Sequence, residues 1–456
     1  MSRLSGVVLA VLAVLGVAAG VMLVAEPPFI GPDELFHWHR VVQIAHGDWF
    51  SARLGPNSWG GAIDRDAFEL SIAYLKKYVG QEALPWRDAR ALAGALALRT
   101  PGGVTVPFPS TGAFSPLAYL PQAAGVALGG WAGLDLMQQS YAGRAANLVF
   151  YLGLVGVILR VLPWGRIGVL AVMTLPGMLH VAGTLSADPL NLALPVLLVA
   201  LVLRVRFAPG GAGWALAAIV GLCGAVALLK PTLVAITPVV LLLPGAAFGG
   251  VGRAWGFRLG CVAVGGVLAY AWSAAYPFLP GEYWGTGADP AATLARFAAH
   301  PLDAVALLGR TLRQWGWAWW QDADSRFGGH GAPFYIDSGP PLADAAMLVA
   351  VLLGAVADPP RRADRGAASW LALLAVGYAL LIVAAFAIGY APPGADTVLG
   401  VQGRYFLMSF CLAALAVAGG RVVVLPRLSV AVPVLAGAIA LGFLVEAIPR
   451  LYAMRG

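Results

Sequence analysis

The chain has 456 residues, of which 60% are hydrophobic and only 11% are charged, and its mean hydropathy is +0.80. No soluble domain of this length is so apolar, so the composition excludes a soluble enzyme and indicates a membrane protein with many spans. The formal net charge of +7 does not indicate a nucleic-acid partner, because basic residues in membrane proteins mainly set orientation.

The first apolar run, residues 4–25, follows Arg3 and has no A-x-A cleavage site before Glu26. We therefore expect an uncleaved signal anchor that begins in the cytoplasm. All cysteines fall inside apolar runs without metal-binding spacing, so they indicate no disulfide framework. They are Cys223, Cys261 and Cys411.

The stretch PFIGPDELFHWHRVVQIAHGD, residues 28–48, follows this run and should begin at a membrane surface. Its first ionisable residues are Asp33, Glu34, His37, His39 and Arg40. Pro32 favours a helix that starts just after it. On that helix, Asp33 and Glu34 lie four and three residues before His37, so their side chains can share a face. A solvated helix start would look similar, but such a group in a chain with few charges favours a functional site.

Residues 26–140 form a long first outer loop, in which 66–79 and 88–98 have the pattern of short amphipathic helices. The segment 114–131 is long enough to span but contains two prolines and a glutamine. If it crossed the membrane, the arginines of the later short loops would lie on the wrong side. We therefore expect it to lie along the interface as a juxtamembrane helix.

A second large outer loop, 277–340, contains the aromatic cluster WGWAWW at 315–320. Tryptophan is enriched at membrane–water interfaces, so we expect these side chains to be interfacial anchors, with a sugar-stacking platform as the alternative. The tryptophans are Trp315, Trp317, Trp319 and Trp320.

These choices predict an all-α polytopic membrane protein with eleven spans, forming one domain over 1–456. The short cytoplasmic loops then contain eleven arginines and only two acids, Asp358 and Asp364, and the C-terminus lies outside. The expected spans are 4–25, 141–161, 167–185, 189–207, 213–229, 232–249, 257–276, 341–357, 367–389, 404–420 and 428–447.

This topology gathers further polar residues on the outer side, next to the stretch 28–48. Charged groups at the bilayer centre cost roughly 2.5–3.5 kcal/mol on insertion scales, so they usually have a role. Each alone could be a snorkelling side chain or half of a local ion pair. Together they indicate a membrane-surface pocket with carboxylates beside cations. They are Arg144; Ser186 and Asp188 in LSADP; Lys230 in LLKPT; and Gln402, Arg404 and Tyr405 in VQGRYF.

Carboxylates beside cations suit the transfer of a sugar from a polyprenyl phosphate. The cations would bind the phosphate and stabilise its charge as the sugar leaves, and a carboxylate would accept the proton of the acceptor hydroxyl. Asp33, Glu34 and His37 could also bind Mg²⁺ or Mn²⁺. The sequence leaves the use of a metal open.

The motifs PDELFHWHR, FSPLAYLPQAAG, LSADP, LLKPT and VQGRYFL occur in this order over most of the chain. Together they resemble a bacterial family of polytopic membrane proteins that is known as a domain of unknown function and is grouped with the GT-C glycosyltransferases. The first motif in that family is similar to PDE-P-x-H. Here Leu35 replaces the second proline, which leaves the spacing of acid and histidine unchanged.

The resemblance implies a GT-C-like fold, juxtamembrane helices in the first outer loop, and a donor sugar linked to a lipid phosphate. It also implies a central acid in that loop, which is Asp33 with Glu34 beside it, and a second acid, Asp188. From charge and side we place the donor phosphate at Lys230 and Arg404. The expected catalytic residues are thus Asp33, Glu34 and Asp188. The expected substrate-binding residues are His37, Arg40, Arg144, Lys230, Gln402, Arg404 and Tyr405.

The expected function is a glycosyltransferase of the bacterial cytoplasmic membrane that modifies a glycan, lipid or protein of the cell envelope on the periplasmic face. One alternative is a lipid-linked glycan flippase or other transporter, which favours broken helices and ionisable groups at mid-membrane. Another is a structural envelope-assembly protein, which would not need acids beside cations. The charges at the outer ends of the expected spans favour the enzyme.

Overall fold

The computed structural model describes residues 3–29, 31–79, 103–207, 213–324, 326–327, 336–337, 341–358, 363–420 and 426–453. The expected helix 88–98 lies outside these residues. The α-helices are α1 (Arg3–Ala25), α2 (Glu34–Ala45), α3 (Arg65–Val79), α4 (Pro109–Gly112), α5 (Leu120–Trp131), α6 (Leu136–Val161), α7 (Arg166–Met173), α8 (Pro176–Ala182), α9 (Asp188–Phe207), α10 (Gly213–Leu229), α11 (Val251–Ala275), α12 (Pro280–Tyr283), α13 (Pro290–Ala299), α14 (Pro301–Asp324), α15 (Pro341–Ala357), α16 (Arg365–Gly389), α17 (Leu407–Gly419) and α18 (Pro426–Ala453). The 3₁₀ helices are Pro116–Tyr119, Pro231–Leu242, Gly245–Phe248 and Gly403–Phe406.

The described chain contains six helices that are long and apolar enough to cross a membrane. They are Gly6–Ala25, Leu136–Val161, Asp188–Phe207, Val251–Tyr283, Arg365–Gly389 and Leu428–Ala447. Shorter apolar helices occupy further expected spans; these are Gly213–Leu229, Pro231–Leu242, Leu342–Ala357 and Gly403–Gly419. The chain is therefore a membrane protein with several apolar helices, and the count of eleven spans stays a prediction.

The expected span 167–185 is divided into two short helices, α7 and α8. Pro176 begins α8, and because it has no N–H it cannot continue the hydrogen bonding of α7. Leu175 before it has an extended conformation, with ψ of 139°, as the residue before a proline prefers. The break lies in buried protein, where a helix interruption within a membrane is tolerated.

The segment 114–131 does not form one long helix. It is divided into the 3₁₀ helix Pro116–Tyr119 and α5, whose twelve residues are about 18 Å long and too short for a hydrocarbon core of about 30 Å. α5 runs back along the first turns of α6 in very close contact. A Cβ on Gly125 would lie 2.4 Å from the Ala142 carbonyl oxygen, so glycine permits this approach.

The first outer loop also contains a small antiparallel sheet, so the fold is mostly helical and the prediction of an all-α fold is corrected. Its strands are β1 (Ala52–Gly55), β2 (Ser58–Asp64) and β3 (Gly103–Pro107), in the order β1-β2-β3. Gly60 of β2 pairs with Pro107 of β3. A Cβ on Gly60 would lie 2.1 Å from the Val106 carbonyl oxygen, so the glycine allows the strands to meet. Two further short strands, β4 (Arg326–Phe327) and β5 (Ile336–Asp337), also pair antiparallel.

The aromatic cluster at 315–320 lies on α14, and two of its tryptophans are not interfacial anchors. Trp319 and Trp320 are buried, and their rings contact Phe406 and Phe410 at centroid distances of 4.9 and 5.7 Å. Trp317 is exposed. Local sequence did not separate them, because Trp317 and Trp320 lie three residues apart on one face of α14 and only the packing of its C-terminal end against α15 buries Trp320.

The helix α9 lies at the centre of the bundle. In its most apolar window 72% of the residues are buried, against 17–44% in the other long apolar helices. It contacts α6, α10, α17 and the 3₁₀ helix Pro231–Leu242. Its first residue, Asp188, is therefore surrounded by the ends of several other elements, and these form the candidate site.

Candidate functional site at the ends of the helices

Asp33 stands directly before α2 and directs its carboxylate away from that helix. Its backbone is left-handed, with φ of 56° and ψ of 14°, a conformation that aspartate tolerates better than most residues. Its side chain is 50% exposed and makes no capping hydrogen bond to its own helix. Its Oδ2 lies 3.4 Å from Nη2 of Arg404, so the carboxylate is aimed across the site and not along α2.

Arg404 joins the two expected acids of the site. Its Nε lies 2.8 Å from Oδ2 of Asp188, but the N–H is not aligned on that oxygen, so the contact is an ion pair without a good hydrogen bond. Asp188 also accepts from Asn191 Nδ2 at 3.3 Å. Because Asp33 and Asp188 do not saturate the guanidinium, Arg404 keeps donors for another anion.

Lys230 lies beside Arg404 and is held by aromatic rings. Its Nζ is 4.2 Å from the centroid of Tyr405 and 5.9 Å from that of Phe114, within the range of cation–π attraction. The Tyr405 ring is in turn stacked on Phe386 at 5.6 Å. Within the described part of the chain, no side chain or carbonyl oxygen forms a hydrogen bond or ion pair with this ammonium. Burial lowers the pKa of Lys230 and the nearby Asp188 carboxylate acts in the opposite direction, but no anion among the described residues is in direct contact with the ammonium.

A small cavity of about 30 Å³ lies among these residues, which leaves room for roughly two water molecules. It combines charged and polar groups with apolar walls from five helical elements. The lining residues are Met178, Asp188, Asn191, Leu192, Lys230, Leu233, Tyr378, Ile382, Arg404, Tyr405, Leu407 and Met408. A site of this kind suits a ligand with one anionic end and one apolar end.

His37 lies one helical turn after Asp33 and is a neutral base beside the acids. Its Nδ1 is 2.8 Å from the Tyr119 hydroxyl, and the ring is buried. Burial lowers the pKa of His37, although the nearby charges of Asp33 and Asp188 act in the opposite direction. Burial also raises the pKa of Tyr119 well above its ordinary value, so both partners are neutral at pH 7.

Glu34 and Arg144 form a fully buried ion pair away from the cavity. Arg144 donates from Nε to Oε1 at 2.7 Å and from Nη2 to Oε2 at 2.5 Å. The backbone N–H groups of Gly31 and Leu185 donate to the same carboxylate. Burial alone would raise the pKa of Glu34, but Arg144 and these hydrogen bonds outweigh it and lower the pKa. The pair therefore joins α2, α6 and the LSADP turn, and its geometry favours a structural role.

Arg40 is also buried and bound to its own loop. Its guanidinium donates to Gln43 Oε1 at 2.5 Å and to the carbonyl oxygens of Trp49 and Phe114 at 2.9 and 3.3 Å. Burial lowers its pKa to about 10, so it stays charged at neutral pH. It holds the first outer loop against Phe114, whose ring faces Lys230.

Gln402 precedes the turn that carries Arg404. Its Oε1 is buried and has no hydrogen-bond partner in the described chain. The next residue, Gly403, donates its N–H to Oδ2 of Asp322 at 2.5 Å. Asp322 thus fixes the start of the 3₁₀ helix Gly403–Phe406 and, with it, the position of Arg404.

Two amides that the sequence did not single out as site residues hold the LSADP turn in place. Gln122 donates to the Ser186 carbonyl oxygen at 2.7 Å, and Asn147 donates to those of Thr184 and Ser186 at 2.8 and 3.1 Å. The sequence did contain a signal for both residues: each is an amide side chain inside an apolar run, and a buried amide needs a hydrogen-bond partner.

The expected metal ligands do not come together as a set. The carboxylate of Asp33 is directed at Arg404, whereas both oxygens of Glu34 are occupied by Arg144 and backbone donors. Among the described residues, no three side chains of His, Cys, Asp or Glu are grouped so that they could hold a metal ion. The arrangement of Asp33, Glu34 and His37 therefore does not fit Mg²⁺ or Mn²⁺.

The fold and the site define an integral membrane protein with a cluster of charged residues at one end of its helices. A family model described as "Predicted membrane protein (DUF2142)" matches residues 15–413, and the chain belongs to this family. No curated protein and no solved structure matches the chain.

Proposed function

We propose that the protein is a GT-C-type glycosyltransferase that transfers a sugar from a polyprenyl phosphate to an acceptor hydroxyl. The observation that carries the proposal is Lys230, a cation without a bound anion, next to Arg404 in a cavity with apolar walls. An amphiphilic phosphate matches both features, because its anionic end needs cations and its chain needs apolar surface. The half-exposed carboxylate of Asp33 beside Arg404 supplies a base.

In the proposed reaction, the acceptor oxygen attacks C1 of the sugar and the bond from C1 to the phosphate oxygen breaks. The leaving polyprenyl phosphate takes the electron pair, and Lys230 and Arg404 stabilise its added charge. Asp33 accepts the proton of the acceptor hydroxyl. Asp188 holds Arg404 in position through their contact of 2.8 Å. Atoms and charge balance without a redox partner or a metal.

We place the protein in the bacterial cytoplasmic membrane with this site on the periplasmic face, where a cell-envelope acceptor is available. Support comes from arginines at the opposite helix ends, where Arg206 Nε lies 2.6 Å from Asp364 Oδ2 and Arg253 is exposed. Cysteine labelling tests the orientation, since the native cysteines are buried. In intact cells, Ala62→Cys should react with an impermeant reagent, and Arg253→Cys should react only after permeabilisation. The reverse pattern would refute the orientation.

The activity test uses purified protein in liposomes with a panel of polyprenyl-phosphate monosaccharides and envelope acceptors. Transfer should release polyprenyl phosphate and form a glycosylated acceptor in equal amounts. A protein with Arg404→Ala and Lys230→Ala together should release neither. A flippase would instead move the intact donor across the bilayer without releasing sugar. Translocation without transfer would therefore replace the proposed function.

A further inference from the structure

The helix α14 has an apolar face that the protein leaves uncovered. Leu302, Val305, Leu312 and Trp317 are 78, 65, 50 and 46% exposed. At 100° per residue these positions lie on one side of the helix. The opposite side is buried at Leu307 and Thr311, whereas Trp319 and Trp320 are buried because the C-terminal end of the helix packs against α15 and the turn at Gly403. Apolar side chains therefore lie on both the buried side and the exposed side of this helix.

One cation interrupts this outward face. Arg313 is exposed and points to the same side as Leu302 and Trp317 by helical phase. A face with large apolar side chains, a tryptophan and an arginine is typical of helices that lie in the membrane interface. The arginine can reach lipid phosphates while the apolar residues enter the acyl boundary.

The contacts of α14 place it across the ends of the helices α15, α16 and α17. Trp320 donates its Nε1 to the carbonyl oxygen of Asp344 in the first turn of α15, at 3.0 Å. Thr311 accepts from the N–H of Val398, in the loop between α16 and α17, at 3.0 Å. The helix therefore lies at the level where these apolar helices end, which is the level of the membrane surface.

The neighbouring helix α15 also has exposed apolar residues. Leu342, in the first turn of α15, is 80% exposed, and Val349 and Leu352 further along are exposed as well. Because α15 is one of the apolar helices of the bundle, this side faces lipid. Both α14 and α15 therefore present apolar side chains on the outside of the bundle.

From these observations we infer that α14 seats its Leu302–Trp317 face in the outer leaflet, so that its partner is a phospholipid surface. The position of α14 then affects the site directly. A Cβ on Gly403 would lie 1.7 Å from the Trp319 carbonyl oxygen, and Asp322 binds the Gly403 N–H. The lipid-seated helix is in contact with the turn that carries Arg404. The lipid contact itself does not depend on the proposed enzymatic activity.

The test is lipid quenching in nanodiscs. Val305→Cys and Leu312→Cys carry a bimane label, and quenching is measured with lipids that carry a doxyl group near the headgroup. Val349→Cys on α15 is the lipid-facing positive control, and Ala62→Cys on the exposed sheet is the water-facing control. Both α14 labels should be quenched about threefold or more above the Ala62 position. Ala306→Cys, on the same face, replaces either variant if that variant does not elute like the wild type.

Two results would overturn the inference. Quenching at Val305 and Leu312 equal to that at Ala62 would place the face in water. Absence of quenching together with disulfide-linked dimers of unlabelled Leu312→Cys would assign the face to a second copy of the chain. Both readouts are independent of sugar transfer, so they separate failure of this inference from failure of the proposed function.

Discussion

The Nε atom of Arg404 lies 2.8 Å from Oδ2 of Asp188, yet its N–H is not aligned for a good hydrogen bond. With this geometry, Asp188 neutralises the charge of Arg404 but leaves some of its N–H donors unused. An incoming phosphate can therefore gain hydrogen bonds from Arg404 without first removing a well-made pair. The neighbouring Lys230, bound only by aromatic rings, adds a second charge to the same place.

Removing either cation should weaken binding of polyprenyl phosphate. Charge-assisted hydrogen bonds contribute roughly 1.5–3 kcal/mol, so Arg404→Ala and Lys230→Ala should each raise the Kd by about tenfold or more. Arg404→Lys should recover only part of the affinity, because the planar fork of donors is lost. Titration of purified protein in nanodiscs with polyprenyl phosphate measures the effect.

Surface cations of the first outer loop serve as matched controls for that titration. Arg53 and Lys76 are both exposed. Arg53→Ala and Lys76→Ala remove the same charges and should leave the Kd unchanged at moderate salt. Wild-type affinity in both Arg404→Ala and Lys230→Ala would show that the phosphate binds elsewhere.

The adjacent residues Asp33 and Glu34 should respond differently in thermal unfolding. Glu34→Gln leaves Arg144 buried without its counter-charge, which typically costs about 3–5 kcal/mol. Asp33→Asn removes a half-exposed contact of 3.4 Å and should change stability little. Adding Arg144→Met to Glu34→Gln should recover part of the loss, since no buried charge then remains unpaired. Equal small shifts in Glu34→Gln and Asp33→Asn would contradict the structural role of the Glu34–Arg144 pair.

The sequence located the polar cluster because charge is scarce in this chain and four of the five motifs contain a charged residue. It placed Asp33, Asp188, Lys230 and Arg404 on the same side, and the structure brings them together. It did not separate Asp33 from Glu34, because both suit the start of a helix. In the folded protein, the left-handed backbone of Asp33 directs its side chain outward. Arg144, on another helix, pairs with Glu34 and keeps it buried.

The limits of the fold prediction have the same physical origin. Hydrophobic runs identify apolar helices, but they do not show that Pro176 divides one of them. They also do not show that residues Ser58–Asp64 form a strand, β2, that pairs with β3. Those features depend on partners distant in sequence. The roles of Gln122 and Asn147 likewise depend on the LSADP turn, with which they pair only in the folded bundle.

Asp324 should make the stability of the protein depend on pH. It is buried without a hydrogen-bond partner in the described chain, and burial together with the Asp344 carboxylate raises its pKa from 3.8 to about 9. The folded state therefore keeps a proton that the unfolded chain releases, and stability should fall as the pH rises between those two values. Asp324→Asn removes this titration. Melting curves at about pH 5, 7 and 9 should be flatter for the variant than for the wild type.

The exposed acid Asp303 on the same helix provides the control for that experiment. It pairs with Arg296 at 2.9 Å on the surface, where solvent weakens the interaction. Asp303→Asn should keep the wild-type dependence of Tm on pH. A wild-type profile in Asp324→Asn would mean that this carboxyl is ionised in the folded protein at neutral pH.

The last prediction is that Asp33 is the catalytic base. Asp33→Asn keeps the shape of the side chain and removes its ability to accept a proton. Turnover should fall by at least about 10²-fold while binding of polyprenyl phosphate stays near the wild-type value, because the lost interaction belongs to the transition state. Asp188→Asn should instead weaken phosphate binding as well, since Arg404 loses the contact that holds it in position. Folded Asp33→Asn protein that transfers sugar at the wild-type rate would defeat this assignment. Asp188 would then become the candidate base, and the first outer loop would shape the acceptor site without performing chemistry.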